Sequence, residues 1–379
     1  MLLRPARPWP SGSGGRRPAK AAALAGPSCT GIGHEVRVAT NEQSHAVIIA
    51  AGLHAVSAGI STFDMVERRR RRWPETDEQP VATWATRMWA QVMAPTTLAD
   101  LLEMMEDWLP DLVVHDEGEY AAPVAAAKAG IPWVTHAWGS PLRPANELME
   151  LEDLASGLWE SCGLAVPLAA GLYTHALINP CPTILDTTAG PSNVWPIRPR
   201  PLTGPGPSLE ADVYIGFGTV PSFANARTEL TAAVTACTSR GMRVVVTAPG
   251  EDLRRDLAAL DEGLVDAREF VSLTDLIRSC KVVISHAGAG TVLASLAAGV
   301  PVVLLPRGSP SQLRMADACH RAGVGRRCDL AGLDAALDEV TNGLGFSRAA
   351  AVAAAQLARM PPASSIIPLI EGLVSEARL

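Results

Sequence analysis

The chain has 379 residues, 48% of them hydrophobic and 19% charged, with a formal net charge of −7. Such a chain has material for two full globular cores, and its acidic balance excludes a globally basic nucleic-acid-binding surface. No apolar stretch reaches the length of a membrane span, and the seven cysteines are scattered without metal-ligand spacing, so free thiols in a reducing cytoplasm are expected.

Residues 1–32 form an atypical N-terminal segment. It is rich in Pro, Gly and Arg, lacks the continuous apolar run of a secretory signal, and reads as disordered or as the product of a misread frame or mis-set start. Residues 33–186 read as a first α/β domain. The alternating stretch 34–40 predicts a strand, and the basic run 68–72 a solvated loop. Residues 81–109 carry apolar side chains at helical spacing, with Pro95 as an expected break. Trp84, Met88, Trp89, Val92 and Met93 share one side of that segment, which suits core packing or the wall of an aromatic pocket. Strands are expected at 111–116 and 131–138, with an Ala-rich helix at 120–129 between them. That is the βαβ pattern of a parallel sheet.

Residues 187–210, rich in Pro, Gly and Ser, read as an interdomain linker. A second α/β run occupies 211–379. It predicts strands at 213–217, 242–248, 270–271, 282–285 and 302–305, with helices at 228–239, 275–279 and 289–298, then further helices to the end. If no strand precedes residue 34, a central strand of the first sheet is missing, leaving apolar surface exposed. Two α/β halves joined by a linker imply a cleft at the C-terminal ends of the strands.

The most informative stretch is Ser285-His286-Ala287-Gly288-Ala289-Gly290-Thr291. A buried strand, a small-residue turn and a helix start, in that order, make an anion site. Free backbone N–H groups and the positive end of the helix favour phosphate there, and glycine lets the backbone approach it. A tight packing turn would use the same residue types.

These residues resemble the GT-B glycosyltransferases that use nucleotide-diphosphosugars in actinobacterial antibiotic pathways. The resemblance rests on His286 to Thr291, on Ala298-Gly299-Val300-Pro301, on Gly218-Thr219 at a strand end, and loosely on Phe270-Val271-Ser272-Leu273. It implies two Rossmann-like domains facing each other across a cleft. It also implies a dTDP-sugar co-substrate, a small-molecule aglycone, and no metal or other cofactor. By the same resemblance, His286, Gly288, Ala289, Gly290 and Thr291 hold the diphosphate, Gly218 and Thr219 touch it from the facing strand, and Val271 and Leu273 meet the nucleobase. Gly308 and Ser309 belong to the sugar loop, where the family's usual Asp-Gln pair is replaced by Pro306-Arg307-Gly308-Ser309-Pro310-Ser311-Gln312. Loss of the acid suits a sugar with fewer hydroxyls, a deoxysugar.

Inverting transfer needs a base for the acceptor proton. Relatives place a His after their first strand; here no His precedes His34. The remaining candidates are Asp116, Glu117, Glu119 and His136. Asp116 and His136, each at a strand end, are the expected catalytic pair, with Trp89 and Trp138 as acceptor contacts. The expected activity is deoxysugar transfer to a hydrophobic aromatic polyketide or enediyne-type aglycone. A nucleotide-sugar epimerase and a non-catalytic binding or activator protein stay open as alternatives, as does assembly into a homodimer.

Overall fold

The computed structural model describes residues 2–5, 34–77, 79, 84–186, 190–200, 209–218 and 226–378. Residue 1 and residues 6–33, which hold most of the atypical segment, and the expected site residue Thr219 lie outside the described residues.

Short β-branched runs bounded by Gly and Pro build two sheets. The first has the order β3-β2-β1-β4-β5-β6-β7. Its strands are β1 (Leu2–Pro5), β2 (His34–Thr40), β3 (His54–Ser57), β4 (Leu112–Asp116), β5 (Trp133–His136), β6 (Ala176–Asn179) and β7 (Val194–Pro196). All pairings are parallel except those of β1, which runs antiparallel between β2 and β4. The place expected to lack a strand is therefore filled. Pro5, which cannot donate to the ladder, stands at the end of β1 opposite His34, the first residue of β2.

The second sheet is fully parallel, with the order β10-β9-β8-β11-β12-β13. Its strands are β8 (Val213–Gly216), β9 (Val244–Thr247), β10 (Val265–Arg268), β11 (Val282–Ser285), β12 (Val302–Leu304) and β13 (Gly325–Arg327). This is the doubly wound Rossmann order, and its reversal point falls between β8 and β11. Val282, Val283, Ile284, Val302, Val303 and Leu304 are fully buried between helix layers, as a parallel sheet covered on both faces requires.

Several elements differ from the sequence reading. Residues 68–72 end a helix, Thr62–Arg72, instead of forming a loop. Ser61 caps it through Asp64 N–H, and Arg69 pairs with Asp77 while its guanidinium lies 4.7 Å over Trp84. Pro95 does not break its helix. It sits in the first turn of Ala94–Asp107, directly after a π-helical turn at Trp89–Met93, where the wider turn absorbs the missing N–H. Phe270 and Val271 follow β10 instead of lying in it. The expected linker contributes β7, which pairs with β6 at the sheet edge.

The last helix, Ile367–Glu376, crosses back to the first sheet. There Ile366, Ile370 and Val374 join Val36, Leu112, Val114, Val134 and Ile178 in one core. The second unit is thus not simply residues 211–379. The six cysteines among the described residues are free thiols, four of them buried. Among the described residues no helix is long and apolar enough to cross a membrane.

Candidate active site in the interdomain cleft

The reversal between β8 and β11 places two glycine-bearing turns side by side. After β11, Ser285 is fully buried and its Oγ accepts from Ala287 N–H at 3.2 Å. Ala287 takes a left-handed backbone, φ 66°. Gly288 is the N-cap of the Ala289–Ala297 helix, with no side-chain cap and no acidic residue in the first turn. The orphan N–H groups of that turn keep their positive end available to an anion.

His286 closes the turn. Its ring stacks on Phe217 with centroids 6.1 Å apart and hydrogen-bonds the backbone of Gly216. Burial lowers its pKa to about 4, so the imidazole is neutral at pH 7. The ring lies between two glycines. A Cβ on Gly218 would stand 2.8 Å from its Cε1, and one on Gly288 2.6 Å from the same atom. A Cβ on Gly290 would meet nothing within 4 Å, so that position opens onto the cleft.

The cleft has a volume of about 640 Å³, and both sheets contribute to its lining. His286, Gly288, Ala289, Gly290 and Thr291 form one wall, with Gly218 beside them. Val271, Leu273 and the exposed Phe270 form the far end, where Ser272 starts the Leu273–Ser279 helix. Arg198 and Arg200 also line it, together with Tyr214 and Thr247, whose hydroxyls are 2.9 Å apart. Sequence reading passed over the two arginines because an Arg-Pro-Arg-Pro run looks like linker. Gly308 and Ser309 are not in this cleft. Gly308 lines a separate cavity of about 870 Å³ with Arg307 and His320, while Ser309 is buried against the Ser311 hydroxyl at 3.0 Å.

On the first-sheet side, β4 and β5 run in register so that Asp116 stands opposite His136. His136 lines the cleft; its Nε2 is buried without a hydrogen-bond partner among the described residues, and burial lowers its pKa to about 4. Asp116 is exposed at the strand end, next to the cleft but not part of its lining. Its Oδ1 accepts from Gly118 N–H at 2.8 Å and its Oδ2 from the Trp138 indole. Enclosing protein raises its pKa, and those two hydrogen bonds work in the opposite direction. Trp138 lines the cleft and meets Trp89 edge to face, with centroids 5.3 Å apart.

The other two carboxylates have different surroundings. Glu119 accepts from Ala121 and Ala122 N–H, both at 2.8 Å, and so caps the Ala121–Lys128 helix. Glu117 is buried behind Trp138 and does not line the cleft.

No histidine precedes His34 in the sequence, so none from a first-strand loop is present here. Pro5 pairs with the first residue of β2, so the chain leaves β1 at the end of the sheet opposite Asp116.

Family models agree with this architecture. Residues 29–167 match the N-terminal domain, and residues 234–372 the C-terminal domain, of erythromycin biosynthesis protein CIII-like proteins. The chain is 29% identical over 369 residues to L-demethylnoviosyl transferase of Streptomyces niveus, covering 91% of this chain and 92% of the relative. It is 26% identical to tylactone mycaminosyltransferase of Streptomyces fradiae, covering 90% and 87%. Among solved structures it resembles spinosyn rhamnosyltransferase SpnG complexed with thymidine diphosphate, with a TM-score of 0.71 at 23% identity, covering 89% of this chain and 92% of that one. That likeness carries the GT-B fold.

Proposed function

Because the chain belongs to the erythromycin biosynthesis CIII-like family of antibiotic glycosyltransferases, we propose that it moves a deoxysugar from a dTDP donor to a hydrophobic, aromatic aglycone with inversion at the sugar carbon. One observation carries this reading: a single cleft joins an uncapped helix N-terminus beside His286 to His136 and Trp138 from the facing sheet, and the Trp138 indole donates to Asp116 just outside the lining. A leaving diphosphate gains negative charge as the glycosidic bond breaks. Backbone N–H groups at 289–291 are fixed donors for that charge, and the neutral His286 ring, its one N–H given to the Gly216 backbone, packs the turn that aims them. Phe270 offers a ring face to the nucleobase beside Val271 and Leu273. Thr219 completes the proposed donor contacts, while Gly308 and Ser309, outside the cleft, do not join them.

Asp116 takes the acceptor proton. Its raised pKa makes it a better base than an ordinary carboxylate, and a phenol asks little of it. His136, neutral at pH 7, orients the acceptor or the sugar through its buried Nε2. Trp138 supplies a flat apolar wall for an aromatic acceptor, with Trp89 packed edge to face against it. The absence of an acid between Pro306 and Gln312 supports a donor with fewer hydroxyls. Gln312 Oε1 there accepts from Arg307 N–H at 2.8 Å and serves the loop's own backbone.

The test is incubation with an α-linked dTDP-deoxyhexose and a phenolic polyketide in the presence of a chelator. The expected product is a β-linked glycoside formed at an undiminished rate. An α-linked product, or loss of turnover on chelation, would overturn the inverting, metal-independent mechanism.

A further inference from the structure

Behind Trp138 lies a buried polar cluster that the transfer chemistry leaves unused. Glu117, Ser140 and Arg143 are 7%, 2% and 6% exposed. Glu117 directly follows Asp116 but is buried where Asp116 is exposed, and its carboxylate accepts from the backbone of Trp138. Its Oε1, the Ser140 Oγ and the Arg143 Nε have no hydrogen-bond partner among the described residues. Arg143 Nη2 donates to the Tyr120 hydroxyl at 3.1 Å.

The donor-side domain grips the same loop. Arg314, on the Pro310–Arg321 helix, donates through Nε to the Pro141 carbonyl at 3.1 Å and pairs with Glu147. Gly139 lies flush against the Ala289–Ala297 helix. A Cβ there would stand 2.6 Å from Leu293 Cδ1 and 3.8 Å from the Ala289 Cβ. The loop 138–143 is thus held by two donor-side helices on one side and by Glu117 on the other.

We propose that Glu117 is a positioning residue for glycosyl transfer: bonded to the Trp138 backbone and facing the Arg143 charge without a direct ion pair, it fixes the 138–143 loop so that the Trp138 indole in the cleft wall holds the Asp116 carboxylate in register with the donor helix. This rests on Asp116 as the base. The groups that face Glu117 are Arg143 from the loop, Asp116 beside it, Arg314 from the donor side, the Tyr120 and Tyr173 hydroxyls and the Cys181 thiol. Burial pushes the Glu117 carboxyl up to about 7, while the two arginines act to lower it. Ionised, it answers the Arg143 charge. Protonated, it leaves a buried guanidinium facing a phenol, which is costly. The loop therefore tightens as pH rises through about 7.

The test follows the ¹⁵N indole signal of Trp138, assigned with Trp138→Phe, from acid to alkaline pH alongside turnover. The signal is expected to titrate with a midpoint near 7 in the native chain, to lose that transition in Glu117→Gln, and to keep it in Asp116→Asn. Arg143→Met is expected to move the midpoint upward, which keeps the proposal testable should the Gln variant fold poorly. In Glu117→Gln, kcat at pH 8 should fall about 10-fold or more, with donor KM within about two-fold and a flattened pH profile. An unchanged Trp138 transition in Glu117→Gln, or an unmoved midpoint in Arg143→Met, would overturn the proposal. The indole signal needs no turnover, so failure of Asp116 as base shows up separately, as activity retained by Asp116→Asn.

Discussion

Most of the donor side reduces to how three residues share one ring-sized space. His286 occupies the gap between Gly218 and Gly288, and a methyl group at either glycine would overlap the imidazole. Gly288→Ala is therefore expected to weaken dTDP binding at least about 10-fold, read by calorimetry, because the ring or the helix start must move. Gly290→Ala meets no protein atom and should be felt only when ligand is bound. The glycines were visible in the sequence, but the reason for two of them was not, since it lies in a histidine packing across strands. His115 shows a second effect at this scale. It is buried, with Nδ1 2.9 Å from the Asp116 and Glu119 carbonyls and Nε2 2.8 Å from the Thr135 hydroxyl. Burial lowers its pKa from 6.5 to about 4. A histidine whose folded pKa lies below its unfolded one contributes stability that is full above pH 6.5 and is lost as pH falls towards 4. The melting-temperature difference between the native chain and His115→Asn should accordingly shrink over that window. A difference that stays constant would show that His115 does not titrate with unfolding.

Long, strongly patterned segments gave their elements away, and short ones did not. The runs at 112–116, 282–285 and 302–304 are apolar on both faces and bounded by turn residues, so they read as buried parallel strands. β7 and β13, three residues each, carry no readable period, and their pairing comes from neighbours distant in sequence. β1 is the strongest case. Four residues with two prolines' worth of flanking turn chemistry look like nothing, yet they fill the centre of a sheet by running antiparallel. The Thr62–Arg72 helix was hidden because five successive arginines suggest solvated chain. Its stability comes from Asp77 and the Trp73 and Trp84 faces, which a charge count cannot see. The final helix was legible as a helix but not in its placement. Ile370 is 3% exposed against the first sheet, so Ile370→Ala should cost about 2–5 kcal/mol in chemical unfolding and should loosen the N-terminal unit first. A loss confined to the second sheet would contradict that packing.

At the scale of the whole molecule, two Rossmann-like sheets meet over one cleft. Arg314 and Gly139 tie the donor helices to the loop that carries Trp138. Composition indicated two cores and the phosphate turn indicated a nucleotide. Neither revealed that the acceptor side depends on contacts with donor-side helices, because those contacts join residues 150 or more positions apart. With β1 reversed, the chain leaves the first sheet at the end opposite Asp116, whose exposed carboxylate is tied to the cleft wall through the Trp138 indole. Steady-state release of dTDP from a dTDP-deoxysugar with a phenolic aglycone, compared between the native chain and Asp116→Asn, probes this most directly. The Asn variant should bind dTDP with native affinity and lose about 10² to 10⁴ in kcat. Native turnover by Asp116→Asn would contradict the assignment of the base.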